Sequence, residues 1–297
     1  MASNLWAYFK ERFPVINMAL FAILFLTVHA VATWFSSVAG PSAFGWKEGL
    51  GIVATISFFY RLRVFDEIKD YDLDAINHPQ RVLQSGRVSI KQLVLLAVVG
   101  AVLEFAWAWL MGIPTFVCWA LAVGYSLLMR YEFFVSDFLK KRLVLYAITH
   151  MLIMPLVILW IWSAYVQSYG LSTTFFMLAM LSLLGGFSFE IARKIHAQEA
   201  ERELVDSYSK SMGYVVAIVS VLVILLLGIA VQSYLLWMLQ ARLWPYVLLG
   251  VLYMATLSLY VFSIRKPQER TLKMAEVFVS LFMLVSYLSI IVEVYFR

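Results

Sequence analysis

Between Asp66 and Asp74 the chain places five carboxylates in nine residues: Asp66, Glu67, Asp70, Asp72 and Asp74. Read as a helix, this run puts Asp66, Asp70 and Asp74 at successive i, i+4 steps on one face, with Glu67 beside them. Like charges stacked in that way repel one another, so the arrangement is costly unless cations offset it. Mg²⁺ suits such a site, because it takes oxygen ligands, keeps several waters and typically bridges a few carboxylates to substrate phosphates. The chemistry to expect is the holding of a metal-diphosphate by Asp66, Glu67, Asp70 and Asp74. The plainer alternative is that these acids only balance Arg61, Arg63, Lys69 and Arg81 at a solvated surface.

A second acidic segment carries Glu190, Glu199, Glu201, Glu203 and Asp206. Read as a helix, Glu199, Glu203 and Asp206 share a face at i, i+4 and i+7 and form a second metal shelf; a solvated amphipathic helix is the alternative. Glu190 and Lys194 stand at the spacing of a structural ion pair. Cations near the two segments are candidates to hold phosphate oxygens: Arg63, Arg81, Arg130 and Arg193 through the bidentate guanidinium fork, Lys194 as a point charge. Glu104 sits in the middle of an apolar stretch, where a carboxyl is expensive. It is expected to face the protein interior, either orienting an acceptor or taking a proton, or serving as a hydrogen-bonded structural residue. The four histidines, His29, His78, His150 and His196, show no zinc-ligand spacing.

These groups have to be positioned by membrane helices. The chain has 297 residues, 63% of them apolar and 16% aromatic, and its mean hydropathy is +0.85. That lies far outside soluble composition, and the lipid bilayer is the expected solvent. The formal charge of +5 comes from few side chains and implies no nucleic-acid surface. The single Cys118 excludes a disulfide framework and a cysteine metal cluster within the chain. A membrane helix needs roughly 20 apolar residues. Stretches near 16–39, 45–64, 91–112, 114–130, 142–166, 171–192, 211–232, 242–264 and 274–295 qualify, the first being read as an uncleaved span. The reading is an all-α integral membrane protein, one domain over residues 1–297 with nine transmembrane helices. With the N-terminus on the cytoplasmic side, 20 of the 23 Lys and Arg residues fall in cytoplasmic segments and only Lys47, Arg242 and Arg297 outside. Both acidic segments are then cytoplasmic, at the face of a cytoplasmic (inner) membrane.

The first acidic run resembles a motif of the UbiA-type membrane prenyltransferases, Asn-Asp-x-x-Asp-x-x-x-Asp after helix 2, followed by Arg-Pro-x-x-x-Gly. Here Asp66 stands for the Asn, Glu67 for the first Asp, and Asp70 and Asp74 for the next two, while Arg81-Val82-Leu83-Gln84-Ser85-Gly86 follows with Val82 in place of Pro. Tyr125-Ser126 before Arg130 resembles the Tyr-Ser near the end of helix 4. The resemblance covers residues about 15 to 295. It implies a nine-helix bundle, Mg²⁺ as cofactor, and transfer of a prenyl group from an isoprenoid diphosphate to a hydrophobic acceptor, an aromatic one of quinone type or a specialised metabolite. It also implies that the second metal-binding segment follows helix 6, where this chain has Glu at positions the family fills with Asp. Tyr125 would then line the path of an allylic cation. The alternatives are a membrane terpene cyclase on the same scaffold and, from another class, a secondary transporter using Glu104. Transporters place their ionisable sites near the midplane, whereas here the acids cluster at one edge.

Overall fold

The computed structural model describes residues 2–36, 44–166, 171–201 and 206–297. The chain divides into two compact units, one of residues 1–134 and 160–169, the other of residues 135–159 and 170–297. No strand occurs among the described residues, as expected where the bilayer leaves backbone groups only intrahelical partners.

In the first unit, α1 (Ala2–Arg12) precedes Pro14, whose missing N–H costs nothing at the start of α2 (Val15–Ser36). Next come α3 (Trp46–Lys69), α4 (Tyr71–Asn77), α5 (Ile90–Met111) and α6 (Ile113–Arg130). Ser89 and Gln92 close a reciprocal capping box at the start of α5: Gln92 N–H donates to Ser89 Oγ at 3.3 Å and Ser89 N–H to Gln92 Oε1 at 2.9 Å. Gly112, at φ 116°, makes the tight turn between α5 and α6 in a region that side chains avoid.

The helix pair α3 and α5 is set by one small residue. A Cβ added at Gly100 would lie 1.9 Å from Ser57 Oγ and 3.1 Å from Ser57 Cβ, so glycine is what lets α3 approach this closely. Large rings fill the rest of the interface. Trp107 packs edge-on to Trp160 at 5.4 Å between centroids, Phe58 lies 5.8 Å from Trp160, and the Trp107 indole donates to the Lys47 carbonyl at 2.9 Å.

The second unit starts with α7 (Ser136–Lys140) and α8 (Leu143–Met151), and α9 (Ile153–Ser163) runs from it across the boundary at residue 160. The stretch expected as one span over 142–166 is thus broken near Leu152. Pro155 accounts for the break, since it has no N–H for the Met151 carbonyl and its ring crowds that turn. Then follow α10 (Thr173–Arg193), α11 (Tyr208–Ser211), α12 (Tyr214–Met238), α13 (Trp244–Arg265) and α14 (Glu269–Tyr295). Inside this unit Gln232 is fully buried and donates to the Ser286 carbonyl at 2.9 Å and Ser289 Oγ at 3.2 Å, tying α12 to α14.

Eight helical segments among the described residues are long and apolar enough to cross a membrane: α2, α5, α6, the broken Leu143–Ser163, α10, α12, α13 and α14. The chain is therefore an all-α, multi-pass membrane protein. The ninth expected stretch, 45–64, coincides with α3, a helix of 24 residues and about 36 Å. It stands apart because it carries Lys47, Glu48, Arg61, Arg63, Asp66, Glu67 and Lys69, which lower its hydropathy.

Gly100→Ala is expected to destabilise the protein by about 1–3 kcal/mol through overpacking against Ser57. Gly124→Ala, where a Cβ would meet no atom within 4 Å, is the matched control and should leave the melting temperature in detergent unchanged or slightly raised.

Candidate metal-diphosphate site

The first acidic run does emerge from a helix. Asp70 N–H donates to the Asp66 carbonyl at 2.9 Å and Asp74 N–H to the Asp70 carbonyl at 2.8 Å, so helical spacing is kept through a bend at Asp70 between α3 and α4. Asp66, Asp70 and Asp74 follow one another turn by turn as the sequence requires. Their surroundings nevertheless divide the expected ligands into two pairs.

Glu67 and Asp74 are held by arginines. Glu67, whose side chain is 1% exposed, accepts from Arg12 Nε at 2.7 Å and from Arg63 Nε at 3.0 Å. Asp74 accepts from Arg81 Nη1, while Arg12 Nη2 reaches it at 3.4 Å. One guanidinium on α1 thus spans both acids. The other face of α1 is fixed by Glu11, which accepts from Val82 N–H at 2.9 Å, and by Asn4, which donates to the Arg87 carbonyl at 3.1 Å. Tyr8 is fully buried, and its phenol is pushed well above the ordinary tyrosine range, first by that burial and then by the charge of Glu67.

Asp66 and Asp70 are in a different state. Asp66 has Lys69 at 3.8 Å as its ion-pair partner, its side chain is 53% exposed, and Asp70 has no ion pair or side-chain hydrogen bond among the described residues. Burial of the surrounding helix end pushes the Asp66 carboxyl above its ordinary range. Lys69 and Arg63 pull it back, and Asp70 and Glu67 reinforce the rise. With half the side chain accessible, that desolvation is modest.

Lys69 also lies 3.8 Å from Glu132, which is brought in by an unusual turn. Glu132, Phe133 and Phe134 all take left-handed backbone angles, φ 48°, 55° and 60°. Each such residue costs roughly 1–2 kcal/mol without glycine. In return Glu132 is buried against Lys69, and Phe133 packs edge-on to Tyr125 at 5.4 Å. Arg130 lies over the rings of Phe65 at 5.1 Å and Tyr131 at 5.5 Å.

Among the described residues no three Asp, Glu, His or Cys side chains converge to cage a metal. The donor set still fits Mg²⁺. That ion typically uses one or two carboxylates, and fills its octahedron with water and substrate phosphate. Asp66 and Asp70, one helical turn apart with hard oxygen donors and no arginine ion pair among the described residues, offer that. Glu67 and Asp74 each meet their arginines through one oxygen, Oε1 and Oδ2, and Glu67 Oε2 is buried with no hydrogen-bond partner among the described residues.

Glu104 is fully buried at the Gly100 contact, ion-paired with Arg61 Nη2 at 2.9 Å and accepting hydrogen bonds from Trp119 Nε1 at 3.1 Å and Ser57 Oγ at 3.3 Å. It joins α3, α5 and α6.

In the second unit the expected helical shelf is corrected. α10 ends at Arg193, Gln198–Ala200 is a single 3-10 turn and Glu201 is extended, so Glu199 and Asp206 do not share a helical face. Glu203 lies outside the described residues. The segment is instead tied down locally. Glu199 accepts from Glu269 N–H at 3.2 Å, and Glu269 accepts from His196 Nδ1 and Ala197 N–H, both at 3.0 Å. The first of these bonds uses an N–H at the start of α14 that would otherwise lack a partner. Glu201 accepts from Ser207 at 2.8 Å, with Lys210 at 3.5 Å. Burial raises its pKa, but the Ser207 and Ser209 hydrogen bonds and Lys210 outweigh that and hold the carboxyl below its ordinary range. Arg193 and Lys194 converge on Glu190, Arg193 Nε at 2.7 Å and Lys194 Nζ at 2.7 Å. Tyr208 is buried nearby, its phenol pushed above the ordinary range by burial and then by Glu190. Asp206 is exposed.

Arg12, Lys69, Glu132 and Glu269 were not among the expected site residues. For Arg12 a signal exists: Leu5, Tyr8 and Phe9 repeat at helical spacing ahead of Pro14, and Arg12 continues their face.

Comparison with known proteins follows this geometry. The model of the UbiA prenyltransferase family matches residues 26–284. The fold is similar to that in a structural study of digeranylgeranylglyceryl phosphate synthase, with TM-score 0.69, 17% identity, and coverage of 99% of this chain and 100% of that one. It is similar also to a UbiA homolog from Aeropyrum pernix K1 (TM-score 0.64, 15% identity, 91% and 97% covered). A UbiA homolog from Archaeoglobus fulgidus bound to GPP and Mg²⁺ gives TM-score 0.54 at 16% identity, covering 96% and 99%. No curated protein matches.

Glu104→Ala leaves Arg61 buried without its carboxylate and is expected to cost about 3–5 kcal/mol, read as a lower melting temperature in detergent. Replacing both partners, Arg61→Met with Glu104→Met, should recover most of that loss.

Proposed function

The chain belongs to the UbiA prenyltransferase family, and on that premise we propose that it transfers a prenyl group from an isoprenoid diphosphate, held with Mg²⁺, to a hydrophobic acceptor of aromatic type. The observation that carries this reading is the pair Asp66 and Asp70, two carboxylates with no arginine ion pair among the described residues where α3 ends. In this reading α3 is the ninth span, and both acidic segments lie on the cytoplasmic side of the inner membrane, where 20 of 23 basic residues fall. A diphosphate bound at the end of α3 leaves its hydrocarbon tail to enter the bilayer-embedded helices, which bury apolar chain at about 0.8 kcal/mol per CH₂.

When bound, Mg²⁺ supplies Lewis-acid stabilisation of the negative charge that grows on the diphosphate as the C1–O bond breaks. Asp66 and Asp70 hold and orient the cation. Arg63 and Arg81 keep unused N–H groups after pairing with Glu67 and Asp74, and direct these to phosphate oxygens. Arg130, exposed and stacked on Phe65, is the further cation of that end of the unit. In the second segment Arg193, Lys194 and Asp206 remain candidates for diphosphate and metal; Glu199 serves the start of α14. Tyr125, oriented by Phe133, offers an electron-rich ring to a developing allylic cation. Glu104, held by the Arg61 ion pair and by hydrogen bonds from Trp119 and Ser57, supports this reading over a transport site, since it serves as a buried structural joint.

Purified protein supplied with isoprenoid diphosphates of ten to twenty carbons and a membrane extract as acceptor source is expected to release pyrophosphate only with Mg²⁺. Asp70→Ala should lower the rate by about 100-fold or more, as removal of metal-site groups does, and exposed Asp72→Ala should leave it unchanged. Equal rates in wild type and Asp70→Ala would remove Asp70 from the reaction.

A further inference from the structure

Four cations stand in the nine residues from Arg265 to Lys273, where α13 turns into α14, and the only acid among those nine is Glu269. That acid is turned away from them. Its carboxylate meets His196 Nδ1 and accepts from Ala197 N–H, both at 3.0 Å. Lys273 lies 2.8 Å from Glu276. Arg265, Lys266 and Arg270 are exposed and make no ion pair and no side-chain hydrogen bond among the described residues. Other cations of the same unit are engaged: Arg193 and Lys194 lie on Glu190, and Lys210 on Glu201. The backbone beneath the three is fixed, since the Tyr214 hydroxyl donates to the Ser263 carbonyl at 3.1 Å and Thr271 and Leu272 are buried.

The apolar surface beside these cations selects among anions. Phe262, one turn before Arg265, is 46% exposed, and Met274 and Val277, one and two turns after Arg270, are 46% and 56% exposed. Two guanidinium forks and an ammonium match the oxygens of a phosphodiester, and the exposed apolar side chains below them match hydrocarbon. A soluble anion would use only the first of these features. We propose that the α13–α14 turn is a binding site for an anionic glycerophospholipid, its phosphate held by Arg265, Lys266 and Arg270 and its acyl chains lying on Phe262, Met274 and Val277. Cations placed just outside a membrane helix each contribute to holding an anionic lipid, and here three do so from one short connection. Such a site is independent of prenyl transfer and calls for a bilayer alone.

Native mass spectrometry of the full chain in detergent, titrated with phosphatidylglycerol or with phosphatidylcholine, tests the site. The wild type is expected to hold phosphatidylglycerol at least about tenfold more tightly, since each cation near the phosphate contributes roughly fivefold. Arg265→Gln, Lys266→Gln and Arg270→Gln combined should bring the two lipids within about threefold of each other, the scale of screened surface charge. Lys140→Gln, Lys141→Gln and Arg142→Gln combined remove the same charge from another exposed stretch of the unit and should leave the preference intact. Lys266→Gln alone, expected to weaken phosphatidylglycerol by about fivefold, keeps the test open if the triple variant does not fold. Excess inorganic phosphate should displace no more lipid than sodium chloride of equal ionic strength. Equal retention of the two lipids by the wild type, or equal loss in both triple variants, would overturn the site. So would displacement peculiar to phosphate, which would mark an anion site without a lipid.

Discussion

Charge compensation at the end of α3 governs the first unit. Five carboxylates in nine residues, leaving a helix at the edge of a low-dielectric medium, repel one another and resist desolvation. The chain answers with three arginines on the inner acids Glu67 and Asp74, and with one distant lysine, Lys69, near the outer Asp66. The uneven answer leaves uncompensated negative charge at Asp66 and Asp70. That is the physical basis of the proposed site for a cation together with an anionic substrate.

Such a charge pattern works only if α3 cannot turn or slide. Its register is fixed by the Gly100 contact with Ser57 and by the buried Arg61–Glu104 pair, whose carboxylate also accepts hydrogen bonds from Trp119 and Ser57. A buried ion pair of this kind is weak evidence of stability, because desolvating both charges offsets most of their attraction. Its value lies in specificity. Sliding α3 by one residue would leave both charges buried without each other, so the last turn carrying Asp66 is held at one height and one rotation. The left-handed turn at Glu132–Phe134 adds a second fixed point, spending backbone strain to bring Glu132 to Lys69 and Phe133 to Tyr125.

Much of this was legible in the sequence. The long apolar stretches announce the helices because hydropathy over some 20 residues is a strong signal, and the i, i+4 acids announce the first motif because helical spacing survives the bend at Asp70. The break at Leu152 was not read there, although Pro155 carries its signal. The partners of the acids were not legible. Arg12 reaches Glu67 across 55 positions of sequence, and tertiary pairs of that kind carry no periodicity. The second segment misled for a local reason. Glu199, Glu203 and Asp206 have helical spacing, but α10 stops at Arg193, and the Glu199 and Glu269 carboxylates satisfy backbone donors in place of a metal. Three consecutive left-handed residues without a glycine, Glu132 to Phe134, give no sequence signal at all.

The central claim, that Asp66 and Asp70 hold a metal-bound diphosphate, is tested most directly by calorimetric titration of the detergent-solubilised protein with an unreactive thiolo analogue of an isoprenoid diphosphate, with and without Mg²⁺. The account predicts saturable binding that requires Mg²⁺ and is lost in Asp70→Asn. Binding of equal strength without Mg²⁺, or in Asp70→Asn, would contradict it.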